Sequence, residues 1–138
     1  METKKHCYPF TILESHLDTF GHVNNAAYLE IFEEARWDLI TANGYGLSQI
    51  LEVGLGPVVL KVDLRFRLEL KLRQKVIIET VLGNYNKKLA TIVQEILDEE
   101  GQIYCKAEFL CGLFNLETRK LVLPTPAWLK GIGASENY

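Results

Sequence analysis

Residues 18–25, with the sequence DTFGHVNN, are the part of this chain best suited to chemistry. Asp18 provides a carboxylate, Gly21 allows a turn, and Asn24 and Asn25 are residue types that begin helices. The first amides of a helix lack internal partners and lie at the positive end of its dipole, so they can stabilise an oxyanion. A carboxylate beside such amides can attack an activated acyl group or deprotonate an attacking water. A thioester suits this simple site, because the thiol that leaves has a pKa of about 8.5.

On spacing alone, two interpretations of this segment stay open. Asp18 is more commonly a turn or capping residue than a catalytic acid, and Gly21 is commonly a simple turn glycine. His22 could position Asp18 or contact a substrate, although a lone histidine in a polar loop is more often structural. The residue types therefore define a candidate site without identifying an enzyme.

The elements on either side of this segment are predicted from hydrophobic periodicity. Residues 8–13 are rich in aromatic and branched side chains, which indicates a first strand. Asn43 and Gly44 tolerate the conformation that ends helices, so they predict the end of a helix that Asn24 or Asn25 begins. Between these ends, apolar residues recur at three- and four-residue steps at Tyr28, Leu29, Phe32, Ala35, Leu39 and Ile40. The pattern predicts one long helix of about five turns.

The remainder of the chain is predicted to be mostly strands. Apolar and charged residues alternate over residues 60–73, as in a long strand with one solvated face. Turn-like sequences at 83–86 and 98–101 separate the strands that follow. Those strands are predicted at residues 76–81, 89–97 and 103–116.

Two short helical segments complete the prediction. One covers residues 47–53, before a break at 54–57, and the other begins near Thr125 and Pro126. This order predicts an α+β fold in which one helix packs on one face of an antiparallel sheet. The unpaired edges of such a sheet favour a homodimer or homotetramer.

Composition narrows the function classes. The 138 residues predict one domain over residues 1–138, and 48% hydrophobic residues suffice for a real core. A net charge of −3 lacks the basic excess that nucleic-acid binding needs. Three cysteines without CxxC spacing indicate neither disulfides nor a metal site, and favour the cytoplasm. No apolar run approaches the ~20 residues of a membrane span, so no membrane association is expected.

The sequence around the candidate site also resembles a known family. Asp18, Gly21, residues 22–26 (HVNNA), Tyr28-Leu29 and residues 32–36 (FEEAR) are similar to the signature of hotdog-fold acyl-CoA thioesterases of the 4-hydroxybenzoyl-CoA thioesterase type. The resemblance implies an antiparallel sheet wrapped around one long central helix. It also implies hydrolysis of an acyl-CoA to a free acid and coenzyme A, with no cofactor and no metal.

The resemblance assigns roles to individual residues. Asp18 would act as nucleophile or general base, and the backbone amide of Asn25 would polarise the thioester carbonyl. Gly21 would let the loop approach the substrate, and Tyr28 would line the acyl pocket, although Tyr28 also fits ordinary helix packing. His22 is a secondary candidate.

Basic residues are the candidates for binding coenzyme A. By resemblance, Lys87 and Lys88 would contact its nucleotide end, although two lysines also commonly solvate a hairpin. Weaker alternatives on the solvated strand face are Arg65, Arg67, Lys71 and Arg73.

Several alternatives stay open at this stage. An acyl-carrier protein could replace coenzyme A as the thiol carrier. A related hydratase or dehydratase with His22 as base, or a binding module without catalysis, would fit the same fold. Glu33 and Glu34 are interpreted as a solvated helix face whose local partners are Arg36 or Trp37.

Overall fold

The computed structural model describes residues 3–134, which form one antiparallel six-stranded sheet and one long helix. In chain order the elements are β1 (His6–Thr11), a 3-10 turn (Glu14–His16), α1 (Asn25–Ala42), α2 (Leu47–Val53), β2 (Leu55–Phe66), β3 (Lys75–Asn86), β4 (Leu89–Leu97), β5 (Ile103–Asn115), β6 (Lys120–Val122) and α3 (Pro126–Gly131). No helix within residues 3–134 is long and apolar enough to cross a membrane.

The strand order is β1-β3-β4-β5-β2, with β6 paired to the end of β5. The residues that pair between neighbouring strands show which strand ends lie at the same end of the sheet. Thr11 at the end of β1 pairs with Lys75, whereas Phe66 at the end of β2 pairs with Cys105 near the start of β5. The loop after β1, which carries Asp18, therefore starts at the same end of the sheet at which β2 stops. We call this the Asp18 end.

Helix α1 packs across one face of the sheet. Its buried face includes Ile31, Phe32, Ala35 and Leu39, and the Phe32 ring meets Phe109 of β5 edge-on, with centroids 5.9 Å apart. The fully buried Ala35 has no bulk beyond Cβ, so the helix can approach the sheet closely there. This antiparallel sheet around a long helix is the predicted hotdog fold.

Most predicted elements are confirmed. The first strand is present with its bounds shifted by two residues, and the long helix, the short helix at 47–53 and the turn at 98–101 lie where expected. Thr125 caps α3, because its hydroxyl accepts from the Trp128 amide at 3.2 Å. The short strand β6 had not been predicted.

The long strand predicted at 60–73 is wrong at both ends. β2 begins at Leu55, directly after Gly54 ends α2 in the left-handed conformation (φ 72), and it tolerates Pro57 because it is an edge strand. It stops at Phe66 because the amides of Arg67 and Leu68 both donate to the Tyr104 carbonyl, at 2.9 and 3.2 Å. These shared bonds interrupt the regular ladder.

The turn predicted at 83–86 is also wrong. β3 continues to Asn86, with a register shift between Leu82 and Asn84 that accommodates the extra residue. The chain instead reverses at Lys87, whose φ is 56°, and Lys88. Gly83 therefore marks a bulge within a strand.

Candidate active site

A tight turn within the loop before α1 holds Asp18. Leu17 and Val23 form an isolated antiparallel bridge, and the Asp18 amide donates to the His22 carbonyl at 2.7 Å. The Gly21 amide donates back to the Asp18 carbonyl at 3.1 Å, with Gly21 at φ +82°. That φ strains any residue with a Cβ, which explains glycine at this position.

The half-buried Asp18 carboxylate is fixed through one of its oxygens. Oδ1 accepts from the amides of Phe20 at 2.8 Å and His22 at 3.1 Å. No hydrogen bond from residues 3–134 reaches Oδ2. One oxygen therefore orients the carboxylate while the other keeps its lone pairs for a ligand.

The same turn occurs a second time in this chain, at residues 98–102. Asp98 Oδ1 accepts from the amides of Glu100 and Gln102 at 3.0 and 2.9 Å, and Gly101 has φ +83°. There, however, Oδ2 accepts from the Tyr104 hydroxyl at 3.0 Å. The turn itself is thus an ordinary structural device, and only the turn at Asp18 leaves a carboxylate oxygen free within the described residues.

The turn at Asp18 leads directly into the start of α1. Asn24 caps the helix, with its side chain accepting from the Ala26 amide and its carbonyl accepting from the Ala27 amide, both at 2.9 Å. Within residues 3–134 the Asn25 amide has no hydrogen-bond acceptor. A free amide at a helix start can stabilise a negatively charged oxygen.

Two other predicted residues lie at the Asp18 end. His22 Nε2 is 3.2 Å from Glu69 Oε1, and both side chains are largely exposed. Tyr28 is buried on α1 with its ring edge-on to Phe66, at 4.9 Å between centroids. Burial raises the pKa of Tyr28, with smaller contributions from Cys105 and Glu69, so its hydroxyl stays protonated.

The structure does not bring Lys87 and Lys88 to this site within one chain. They form the β3–β4 hairpin at the opposite end of the sheet from Lys75, about 36 Å along β3 at strand rise. Nearer cations lie in the β2–β3 loop, where Arg73 Nη2 is 2.8 Å from Glu14 Oε2 and lowers the pKa of that carboxyl. Lys71 lines a shallow cleft together with Glu69, Arg73 and Tyr104.

An apolar cleft of about 220 Å³ opens between the middle of α1 and the edge strand β2. Trp37, Ile40, Pro57, Val59 and Trp128 contribute to its lining, whereas Asp18 and Asn25 do not. Arg36 also lines it and is the one basic residue that does so. This cleft begins two to three turns along α1 from the Asp18 loop.

The prediction that Glu33 and Glu34 form a solvated helix face is confirmed, with Trp37 as the hydrogen-bonded partner of Glu33. Glu33 accepts from the Trp37 indole at 3.3 Å, and Glu34 accepts from the Tyr8 hydroxyl at 2.7 Å. Arg36 instead turns inward, donating to Gln94 at 2.9 Å with its guanidinium 4.0 Å from the Phe109 ring centre. A signal existed in the sequence, because Arg36 lies four residues after Phe32 and four before Ile40, on the apolar face.

Metal ligands are not clustered in the described part of the chain. Residues 3–134 contain no group of three or more His, Cys, Asp or Glu side chains arranged to hold a metal ion.

Comparisons with known proteins identify the family to which this chain belongs. A model of the thioesterase-like superfamily matches residues 13–132. Long-chain acyl-CoA thioesterase FadM of Escherichia coli (strain K12) is 34% identical over 106 residues, or 76% of this chain and 80% of FadM. YbaW, a probable thioesterase from Escherichia coli, superposes with a TM-score of 0.81 at 27% identity, covering 92% of this chain and 98% of YbaW. The hypothetical protein SAV2348 from Staphylococcus aureus, solved with CoA, shares the fold with a TM-score of 0.85 at 17% identity, covering 96% and 84%.

Proposed function

The chain belongs to the thioesterase-like superfamily, and from this premise we propose that it hydrolyses an acyl-CoA to a free carboxylic acid and coenzyme A. One observation carries the proposal: Asp18 presents a free carboxylate oxygen on the same short loop that ends at the free Asn25 amide. The name of FadM and the CoA complex of SAV2348 support an acyl-CoA as the substrate. We place the reaction in the cytoplasm, as the cysteine content predicts.

In the proposed mechanism, the thioester carbonyl oxygen accepts a hydrogen bond from the Asn25 amide. The dipole of α1 adds positive potential there, which stabilises the oxyanion as it forms. Asp18 Oδ2 then either bonds to the carbonyl carbon or takes a proton from a water that attacks it. In the first route the C–S bond breaks, the thiolate leaves, and water hydrolyses the resulting anhydride. In the second route the water oxygen bonds to the carbonyl carbon, the C–S bond breaks as the tetrahedral intermediate collapses, and the thiolate leaves and takes up the proton that Asp18 had accepted.

The other predicted site residues have supporting roles in this proposal. Gly21 keeps the turn in a conformation that aims Asp18 at the substrate, and Tyr28 forms part of the floor beside Phe66. His22, which is paired with Glu69, connects the catalytic loop to the β2–β3 loop. None of these roles requires a metal or a cofactor.

For the nucleotide end of coenzyme A, two basic sites compete. Lys71 and Arg73 lie at the Asp18 end of the same chain. Lys87 and Lys88 lie at the far hairpin, so they can serve this site only from a second copy of the chain. We retain Lys87 and Lys88 as the proposed nucleotide contacts of a homodimer or homotetramer.

The test of the proposed function compares Asp18→Asn with Asp98→Asn. Each substitution preserves the Oδ1 acceptor of its turn, so both proteins should fold, and only Asp18 serves the reaction. We expect Asp18→Asn to lower thiol release from acyl-CoA by at least about a hundredfold, and Asp98→Asn to stay within about twofold of wild type.

The panel should contain aromatic, short-chain and long-chain acyl-CoAs, with circular dichroism as the folding control. Near-normal turnover by folded Asp18→Asn would remove Asp18 from its role. If the wild type released no thiol but changed enoyl-thioester absorbance, the reaction would instead be that of a hydratase or dehydratase.

A further inference from the structure

An exposed apolar track leads from the start of α1 to the cleft at Arg36. On the helix side it includes Leu29 and Trp37, which are 39% and 37% exposed. On the β2 side it includes Phe66, Val62 and Val59, which are 52%, 38% and 43% exposed. An acyl chain whose carbonyl lies at Asn25 could follow this track and remove apolar surface from water.

The β2 residues of the track face the helix because of their register. Phe66, Val62 and Val59 pair with Cys105, Phe109 and Cys111, all of which are buried beneath α1. Directly paired residues point to the same face of a sheet, so these three side chains border the helix.

Arg36 lies at the far end of this track and is only partly satisfied by the protein. Its Nη1 donates to the buried Gln94 side chain, whose Nε2 in turn donates to Thr80 Oγ1 at 2.9 Å and to the Phe32 carbonyl at 3.0 Å. Within residues 3–134, Nε and Nη2 of Arg36 have no hydrogen-bond acceptor. In this part of the chain, every buried side-chain nitrogen has a hydrogen-bond partner. The free donors of Arg36 therefore remain accessible, and the cleft that Arg36 lines gives that access.

Arg36 also forms no ion pair. No carboxylate of the described residues lies within 4.0 Å of its nitrogens. Glu33, one turn earlier, lines the same cleft and accepts from Trp37, so its negative charge offsets only part of the Arg36 charge from a longer distance. Burial lowers the pKa of Arg36 from its usual value, which reflects the cost of removing this cation from water. The face of the Phe109 ring offsets part of that cost. An oxygen-bearing ligand in the cleft would offset more of it.

We propose that Arg36 recognises an oxygen atom at the far end of the acyl group, so that acyl-CoAs with a terminal carboxylate or hydroxyl are preferred over plain hydrocarbon chains. This inference rests on the proposed function. Asn25 and Arg36 are eleven residues apart, or about 16 Å along α1. Since a helical arginine side chain turns back toward the N-terminus, the distance suits an acyl chain of roughly ten carbons.

The test measures the ratio of kcat/KM between matched substrates. Decanoyl-CoA is compared with its terminally hydroxylated counterpart and with the mono-CoA thioester of decanedioic acid. The proteins are wild type, Arg36→Met, Arg36→Lys and the exposed control Arg119→Met, which removes a cation that also lies over a phenylalanine ring. Because each ratio is taken within one protein, it is insensitive to the fraction that is folded.

We expect the wild type to favour at least one oxygen-bearing substrate by about tenfold or more, on the scale of a charged hydrogen bond. Arg36→Met should bring the ratio close to one, Arg36→Lys should retain part of it, and Arg119→Met should keep it. If only the decanedioic acid thioester is preferred over decanoyl-CoA, Arg36 binds an anion. If the hydroxylated thioester is preferred equally, Arg36 acts as a hydrogen-bond donor to any oxygen. A wild-type ratio of one or less, or a ratio unchanged in Arg36→Met, overturns the proposal.

A binding measurement separates this inference from the proposed function. S-decyl-CoA and S-(carboxynonyl)-CoA are thioethers that cannot be hydrolysed, and calorimetry gives their affinities for wild type and Arg36→Met. If no thioester is hydrolysed but the carboxylated thioether binds more tightly through Arg36, the inference stands while the proposed function fails. If thioesters are hydrolysed and both thioethers bind equally, the inference alone fails.

Discussion

Gly21 and Gly101 occupy the same position in two nearly identical turns. Comparing the same substitution in the two turns therefore separates an effect on stability from an effect on activity. Each has φ near +82°, each amide donates to the carbonyl of an aspartate three residues earlier, and neither would place an added Cβ within 4 Å of another atom. Replacement by alanine therefore meets only the backbone penalty of the left-handed conformation, about 1 kcal/mol in either turn.

We expect Gly21→Ala and Gly101→Ala to lose similar stability but to differ in activity. A shifted turn at Gly21 moves Asp18 relative to the Asn25 amide, and small displacements of reacting groups are costly, so turnover should fall roughly tenfold or more. Gly101→Ala should retain normal turnover, because its turn carries no reacting group. Urea unfolding and thiol release on both variants check this. Equal activities would show that the Gly21 conformation does not position the catalytic loop.

Single residues also show where prediction from sequence succeeds. The signature at 18–25 predicted the loop, the cap and the helix start, because these depend on local backbone chemistry. The inward turn of Arg36 was missed, since a charged residue beside Glu33 and Glu34 is typical of a solvated face. Its partner Gln94 lies 58 residues away, and only the packed sheet brings the two together.

At the scale of elements, side-chain hydrogen bonds attach the edge strand β1 to α1. The Tyr8 hydroxyl donates to Glu34 Oε2 at 2.7 Å, and His6 Nε2 lies 2.7 Å from Asp38 Oδ2, one turn further along the helix. The hydrogen bond to Glu34, together with burial and the charges of Glu34 and Asp38, raises the pKa of Tyr8 to about 12. These contacts attach to the helix the edge strand that leads into the loop carrying Asp18.

Tyr8→Phe should lower the free energy of unfolding by about 1 kcal/mol near neutral pH, since it removes a hydrogen bond to a charged acceptor at a partly exposed site. The pKa of Tyr8 is higher in the folded state than the ordinary value of 10.0, so its contribution is complete below about pH 10 and is lost as pH rises through about 12. Urea unfolding of both proteins should therefore give a difference at about pH 8 that shrinks toward about pH 12. A pH-independent difference, or a double-mutant cycle with Glu34→Gln showing no coupling, would contradict this assignment.

Element boundaries were harder to predict than element order. The alternation that suggested a strand over 60–73 continues beyond Phe66, but the ladder stops where two amides share the Tyr104 carbonyl. Gly83 to Asn86 looked like a turn, yet β4 pairs with those residues through a bulge. Both outcomes depend on hydrogen bonds between strands, which local periodicity does not encode.

For the whole molecule, β2 is the edge that most needs a partner. It is a long strand whose outer side has no neighbour in the described part of the chain, and Leu60, which lies outside the apolar track, leaves apolar surface exposed on it. The hairpin with Lys87 and Lys88 lies at the opposite end of the same sheet from Asp18. A second copy of the chain that covers the β2 edge would bury this exposed surface. It could also bring its own Lys87 and Lys88 to the Asp18 end of the first copy.

We therefore expect light scattering to report at least twice the 15.7 kDa mass of one chain. Leu60→Lys would place a cation on the covered edge and should weaken association at least about tenfold, whereas Val53→Lys, on the similarly exposed surface of α2, should not. If a second copy supplies Lys87 and Lys88, dilution of Leu60→Lys below its dissociation constant should also raise KM for acyl-CoA, and Lys87→Ala/Lys88→Ala should raise it in the intact assembly. A wild type of single-chain mass with full activity would leave Lys71 and Arg73 as the cations that hold the nucleotide.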